Sequence, residues 1–238
     1  MKYVLILLTG LLVSIGGYAA SINVKTYIPV KAATYLPVVV AEQKRVMPES
    51  PSTAYFGGLI EQESCISLTH KRCWDPTSEL KTAREQGIGL GMITRAYRTD
   101  GSVRFDALQE MKVNYNDQLK ELSWLTIKTR PDLQIRTMML MTRDNYKRLW
   151  MVKEPLPRLQ MADAAYNGGA GGLEKERVVC GLTKGCDPQQ WFGHIEKQCL
   201  KSKKPLYGNR NACDINREHV ALIFRDRMAK YQQYLSLP

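Results

Sequence analysis

Residues 53–67, TAYFGGLIEQESCIS, decide how this 238-residue chain is read. Phe56, Leu59, Ile60 and Glu63 recur at i, i+3, i+4 and i+7, which is one face of a helix. Ser52, next to Pro51, offers an N-cap. The spacing predicts the first helix of a domain, with the Glu63 carboxyl on the face turned to the core. A carboxyl there loses hydration, which disfavours its charged form and raises its pKa, as a general acid near neutral pH requires. Glu61, rotated by about 200° around the helix, is expected to face solvent. On local sequence alone, an acid ending an apolar stripe is more often a helix-end residue paired with a Lys or Arg.

Working outward, Pro29, Pro37, Pro48 and Pro51 break the upstream stretch, so residues 20–50 read as a lead-in with room for helix only over 38–46. Downstream, a loop through Trp74, Asp75 and Pro76 leads to the glycine-rich 87–91, where the backbone must approach something closely. Apolar residues three and four apart predict helices over 107–128, 132–152 and 158–166. The loop-rich stretch 168–211 is expected to hold short helices near 174–179 and 188–201. A last helix over 215–235, capped by Asp214, would turn Val220, Ile223, Met228, Tyr231 and Leu235 inward.

With 44% hydrophobic and 24% charged residues, the composition excludes a disordered chain. Thirty-four basic against 23 acidic residues give a charge of +11, which favours a polyanionic partner. Nothing matches the aromatic-basic motifs of the usual nucleic-acid modules, so no nucleic acid is expected, and Lys201, Lys203 and Lys204 read as solvated surface. Lys2 precedes an apolar run over 3–15, and Gly17-Tyr18-Ala19 supplies small residues before a cleavage point. Residues 1–19 therefore read as a signal peptide or a releasable signal-anchor, with transient membrane association through 3–20. The expected location is the periplasm or cell envelope.

All six cysteines follow this segment, and an even count in an exported chain points to disulfides. Six cysteines allow fifteen pairings; the clustering favours Cys65 with Cys73, Cys180 with Cys186, and Cys199 with Cys213. There is no CxxC knuckle, and His70, His194 and His219 are scattered, so these histidines are expected to make core or surface hydrogen bonds. Neither a metal nor a cofactor is expected.

Three motifs occur in order: Glu63-Ser64, GIGLGMIT over 87–94, and AYNGG over 165–169. Together they resemble the soluble lytic transglycosylase family, in particular its phage-type endolysins and wall-degrading enzymes, across about 51–235. The resemblance implies a mainly α, lysozyme-like (goose-type) helical domain over 51–238, with a substrate cleft and small strands beside it. It implies cleavage of the β-1,4 bond between N-acetylmuramic acid and N-acetylglucosamine in peptidoglycan, by a monomer whose partner is the glycan strand. Glu63 would be the catalytic residue, with Ser64, Gly89, Leu90, Met92, Thr94, Tyr166, Asn167, Gly168 and Tyr231 contacting substrate. The chain departs from the family's pattern at Met92, where a Gln is common, and at His219, where a Tyr is expected.

In the family's non-hydrolytic route one Glu serves as acid and then base, and the product carries a 1,6-anhydromuramic end. A muramidase acting on the same bond needs a second carboxylate, for which Asp75 and Glu85 are the candidates. A reading from another class is a noncatalytic peptidoglycan-binding or assembly protein that retained the cleft, motivated by Met92.

Overall fold

The computed structural model describes residues 22–235, so the segment read as a signal peptide or anchor lies outside the described residues. Its centre is helix α2 (Ala54–Ser64), in which every residue from Ala54 to Glu61 is buried. The helix packs against partners on more than one side and has no solvent face at Glu61, which corrects the expected exposure of that residue. Thr53, not Ser52, holds the cap position, and it makes no side-chain capping bond.

Residues 20–50 are also not a mere lead-in. Helix α1 (Ala32–Val46) runs through Pro37 and lays Ala32, Leu36, Val39 and Val46 in the core against α4 (Pro131–Arg148). An interior proline costs a helix roughly 3 kcal/mol. That cost is met by apolar burial and by the two-pronged bond from Arg136 to Glu42, at 2.8 and 2.6 Å.

Between α2 and α3 (Ala107–Leu119) lies an antiparallel meander in the order β1 (Glu79–Lys81), β2 (Glu85–Ile88), β3 (Ile93–Tyr97) and β4 (Val103–Asp106). The register pairs Gly87 with Thr94 and Ile88 with Ile93, so the glycine-rich motif is a β-hairpin. Its turn sits on the buried Gln134 of α4, whose Oε1 accepts from the Leu90 amide at 2.8 Å while its Nε2 donates to the Pro76 carbonyl. Gly89 takes φ +87°, and a Cβ there would lie 2.2 Å from Gln134 Oε1. At Gly91 a Cβ would lie 2.9 Å from Met138 Cβ. This is the close backbone approach expected of the motif.

The predicted helix over 107–128 ends at Leu119, because Ser123 and Thr126 bond to each other's backbone and side chain and divert the chain into a 3₁₀ turn (Ile127–Thr129). Helices α5 (Pro155–Gly168) and α6 (Ala170–Leu182) follow. The helix expected over 188–201 is only a 3₁₀ turn (Ile195–Lys197), since Gly193 at φ +80° leaves the right-handed region. A small hairpin, β5 (Pro205–Tyr207) with β6 (Arg210–Asn211), precedes the last helical run.

That run comprises α7 (Ala212–Ala221), a π-helical stretch (Leu222–Arg227) and α8 (Met228–Leu235). Asn211, not Asp214, is its N-cap; Asp214 completes the capping box from the N3 position. Val220, Ile223, Tyr231 and Leu235 are buried as expected. The protein is thus mainly helical with a small antiparallel sheet. Its three disulfides join Cys65 to Cys73, Cys180 to Cys186 and Cys199 to Cys213, the pairing that the clustering favoured. They fit an oxidising, exported environment. No helix among the described residues is long and apolar enough to cross a membrane.

Candidate active site

A cleft of about 1120 Å³ opens between the meander on one side and the ends of α2, α5 and α6 on the other, with the β5–β6 hairpin at its edge. Glu63 stands in its wall, in the last turn of α2, with 14% of its side chain exposed. The carbonyl end of a helix is the unfavourable end for an anion, and the last turn of α2 contains no basic residue. Both Glu61 and Glu63 must therefore find cations elsewhere, and they do so unequally.

Glu61 accepts from Arg227, Lys230 and the Tyr231 hydroxyl at 2.9, 2.9 and 2.6 Å. Among the described residues Glu63 pairs only with His219, whose Nδ1 lies 3.5 Å from Oε1. Burial pushes the Glu63 carboxyl up from 4.5 to about 7; His219 pulls it down and Asp163 adds to the rise. A group poised there can give a proton and take one back at neutral pH.

Asp163 of α5 is the third member of the cluster. It is fully buried, accepts from the Tyr55 hydroxyl at 2.8 Å, and lies 3.3 Å from His219 Nε2. The imidazole is thus held between two carboxyls. Burial opposes its protonation, but Asp163 and then Glu63 outweigh burial and raise its pKa above the ordinary value. Both contacts fall on Asp163 Oδ1, and Oδ2 has no hydrogen-bond partner among the described residues, which is a costly state for a buried carboxylate oxygen.

The expected substrate contacts divide into two groups. Ser64, Met92, Thr94, Tyr166, Asn167 and Gly168 line the cleft with Glu63. Ser64 spends its hydroxyl internally, donating to the Ile60 carbonyl at 2.6 Å and accepting from the Trp74 amide at 3.1 Å, so it fixes the end of α2. Met92 adopts φ +44°, a left-handed conformation that costs a bulky residue energy and recurs at functional sites. The Tyr166 hydroxyl donates to the Gly91 carbonyl and stays protonated, since burial and then Glu63 and Asp163 raise its pKa well above 10. Asn216 Nδ2 donates to Asn167 Oδ1 at 3.0 Å, which leaves the Asn167 amide N–H groups for a ligand acceptor in the cleft.

Gly89, Leu90 and Tyr231 lie off the cleft wall, a correction to their expected contacts. Gly89 and Leu90 dock on Gln134, and Tyr231 is buried between Trp74 Nε1, at 3.1 Å, and Glu61. Asp75 is likewise outside the wall, held by Lys31 and by Thr77 Oγ1 at 2.6 Å; despite some burial, these bonds lower its pKa. Glu85 does line the cleft, where it accepts from the Tyr207 hydroxyl. Lys201, read as solvated surface, is half-buried in the wall and donates to the Gly168 carbonyl at 3.0 Å. Lys203 and Lys204 are exposed.

Sequence reasoning passed over Asp163 and assigned His219 only generic hydrogen bonding. A signal existed for each: Asp163 is a lone charge within the run MADAAYN, and His219 stands where the resembled pattern has a Tyr. Among the described residues no group of three or more His, Cys, Asp or Glu could hold a metal ion. No protein-family model and no curated protein matches this sequence.

Proposed function

We propose that this chain is an exported peptidoglycan-cleaving enzyme of lysozyme-like architecture, related to the soluble lytic transglycosylases, with Glu63 as its acid and base. The observation that carries the reading is a buried but still accessible carboxyl, Glu63, poised near pH 7 in the wall of an open cleft of about 1120 Å³. Glu63 protonates the glycosidic oxygen as positive charge develops at the muramic anomeric carbon. The resulting carboxylate is stabilised by the imidazolium of His219. It then takes the proton of the muramic 6-hydroxyl as that oxygen closes on the anomeric carbon. One proton leaves Glu63 and one returns, and no water is consumed.

The non-hydrolytic outcome is favoured over muramidase action because neither candidate second carboxylate is free. Asp75 is tied to Lys31 and Thr77 outside the cleft wall, and Glu85 is bound by Tyr207. Mass spectrometry of soluble fragments from purified peptidoglycan is expected to give 1,6-anhydromuramic ends. Reducing muramic ends would replace this reading with a muramidase, and no fragment from folded protein that still binds the polymer would replace it with a binding protein.

His219 tunes this acid. In His219→Gln the cation that pulls the Glu63 pKa down is gone, while the Asp163 carboxylate remains. Glu63 then keeps its proton to higher pH, so the alkaline limb of the pH–rate profile is expected to move upward. A limb that stays in place while turnover falls would give His219 a purely structural role.

A further inference from the structure

The turn between α4 and α5 holds two large apolar side chains out in solvent between buried anchors. Leu149 and Val152 are buried as anchors, and the turn is closed by amide bonds from Leu149 to the Tyr146 carbonyl (3.2 Å) and from Val152 to the Leu149 carbonyl (2.9 Å). Between the anchors Trp150 and Met151 project outward, 72% and 62% exposed. Lys147, Arg148 and Lys153 flank them, all exposed, and none forms an ion pair among the described residues; Glu154 is the one acid in the segment. The Lys153 amide bonds Gln189 Oε1 at 3.3 Å, which docks the loop on the body of the protein.

We propose that this tip is a membrane-docking site that inserts Trp150 and Met151 into the headgroup region of an anionic lipid bilayer. Trp is suited to that depth, with its ring among acyl carbons and its N–H among headgroups. Each flanking cation near an anionic surface strengthens attachment about fivefold. A protein partner of ordinary affinity would cover about 800 Å² of the surface; two side chains on a loop tip ringed by cations are too small for that and suit shallow insertion. Because Arg148 also lines the cleft, docking would hold one end of the cleft at the membrane surface. The inference stands whether or not Glu63 is catalytic.

Trp150 is its own reporter, since Trp74 and Trp191 are fully buried and Trp124 is partly buried. The full chain is mixed with vesicles of phosphatidylcholine containing phosphatidylglycerol. The expected result is a blue shift of the emission and quenching by brominated acyl chains, both absent in Trp150→Phe. Lys147→Gln with Lys153→Gln is expected to weaken the quenching titration on the order of 25-fold, two cations at about fivefold each. No quenching by folded protein would overturn the proposal, as would an equal response on phosphatidylcholine alone. A concentration-dependent shift without lipid would overturn it in favour of self-association.

Discussion

Glu63→Gln is expected to lower turnover on peptidoglycan by about 10³-fold or more while raising stability in mild alkali. The amide preserves the shape of the side chain but has no proton to transfer, and general acid–base catalysis of this kind typically contributes 10²–10⁴-fold. The stability effect follows from linkage. A carboxyl whose pKa rises from 4.5 to about 7 on folding is held more firmly as the acid in the native state. Its favourable contribution is whole below about pH 4.5 and is lost as pH climbs through about 7. At pH 8 the native state of the wild type carries a buried anion at the carbonyl end of α2, a burden of up to about 3 kcal/mol at 1.36 kcal/mol per unit. The Gln variant has no such anion, so its melting temperature at pH 8 should exceed the wild-type value, and the difference should vanish near pH 4. Activity retained in the variant would remove Glu63 from catalysis; lower stability at pH 8 would show that its carboxylate is favourably solvated.

What the sequence could and could not reveal follows from the range of the forces involved. The cores of α2 and α4 and the inward face of the last helix were legible, because a 3.6-residue period is a local signal. The disulfides were legible because their partners lie 6 to 14 residues apart. The close approach at Gly87–Gly91 could be anticipated, but its partner, Gln134 in a later helix, could not. Only the 38–46 part of helix α1 is legible, because the local penalty at Pro37 is visible and the Glu42–Arg136 contact, 94 residues apart, is not. The sequence hides Asp163 for the same reason: it meets Tyr55 across 108 residues and His219 across 56. A motif could nominate Glu63, Tyr166 and Asn167 as candidates, but not the tertiary packing that sets Asp163 beside them.

Glu61 is the strongest case of this kind, and its replacement is the complement to that of Glu63. A helical wheel assumes one wet face, but α2 is enclosed, and Glu61 meets Arg227, Lys230 and Tyr231 from the last helical run, about 170 residues on. The π-helical stretch of residues 222–227 ends at Arg227, so the widened turn contributes one of the two cations that hold the acid. In Glu61→Ala the Lys230 ammonium, almost wholly enclosed, is left without its carboxylate partner; burial already lowers its pKa against the pull of Glu61. Breaking a buried pair from one side costs about 3–5 kcal/mol, which in a domain of this size lowers the melting temperature by roughly 10 °C. Glu61→Met combined with Lys230→Met removes the most deeply buried pair and leaves Arg227, the more exposed of the two cations, so it should recover part of that loss. Glu61 is not in the cleft wall, and Asp163 and His219 remain in place, so the single variant assayed below its melting transition should keep the wild-type pH–rate profile. The two acids of one helical turn would then separate cleanly. A Glu61→Ala variant of unchanged stability would mean that its three partners are held by contacts other than this carboxylate, whereas a displaced pH profile would mean that the buried cluster also sets the charge state of Glu63.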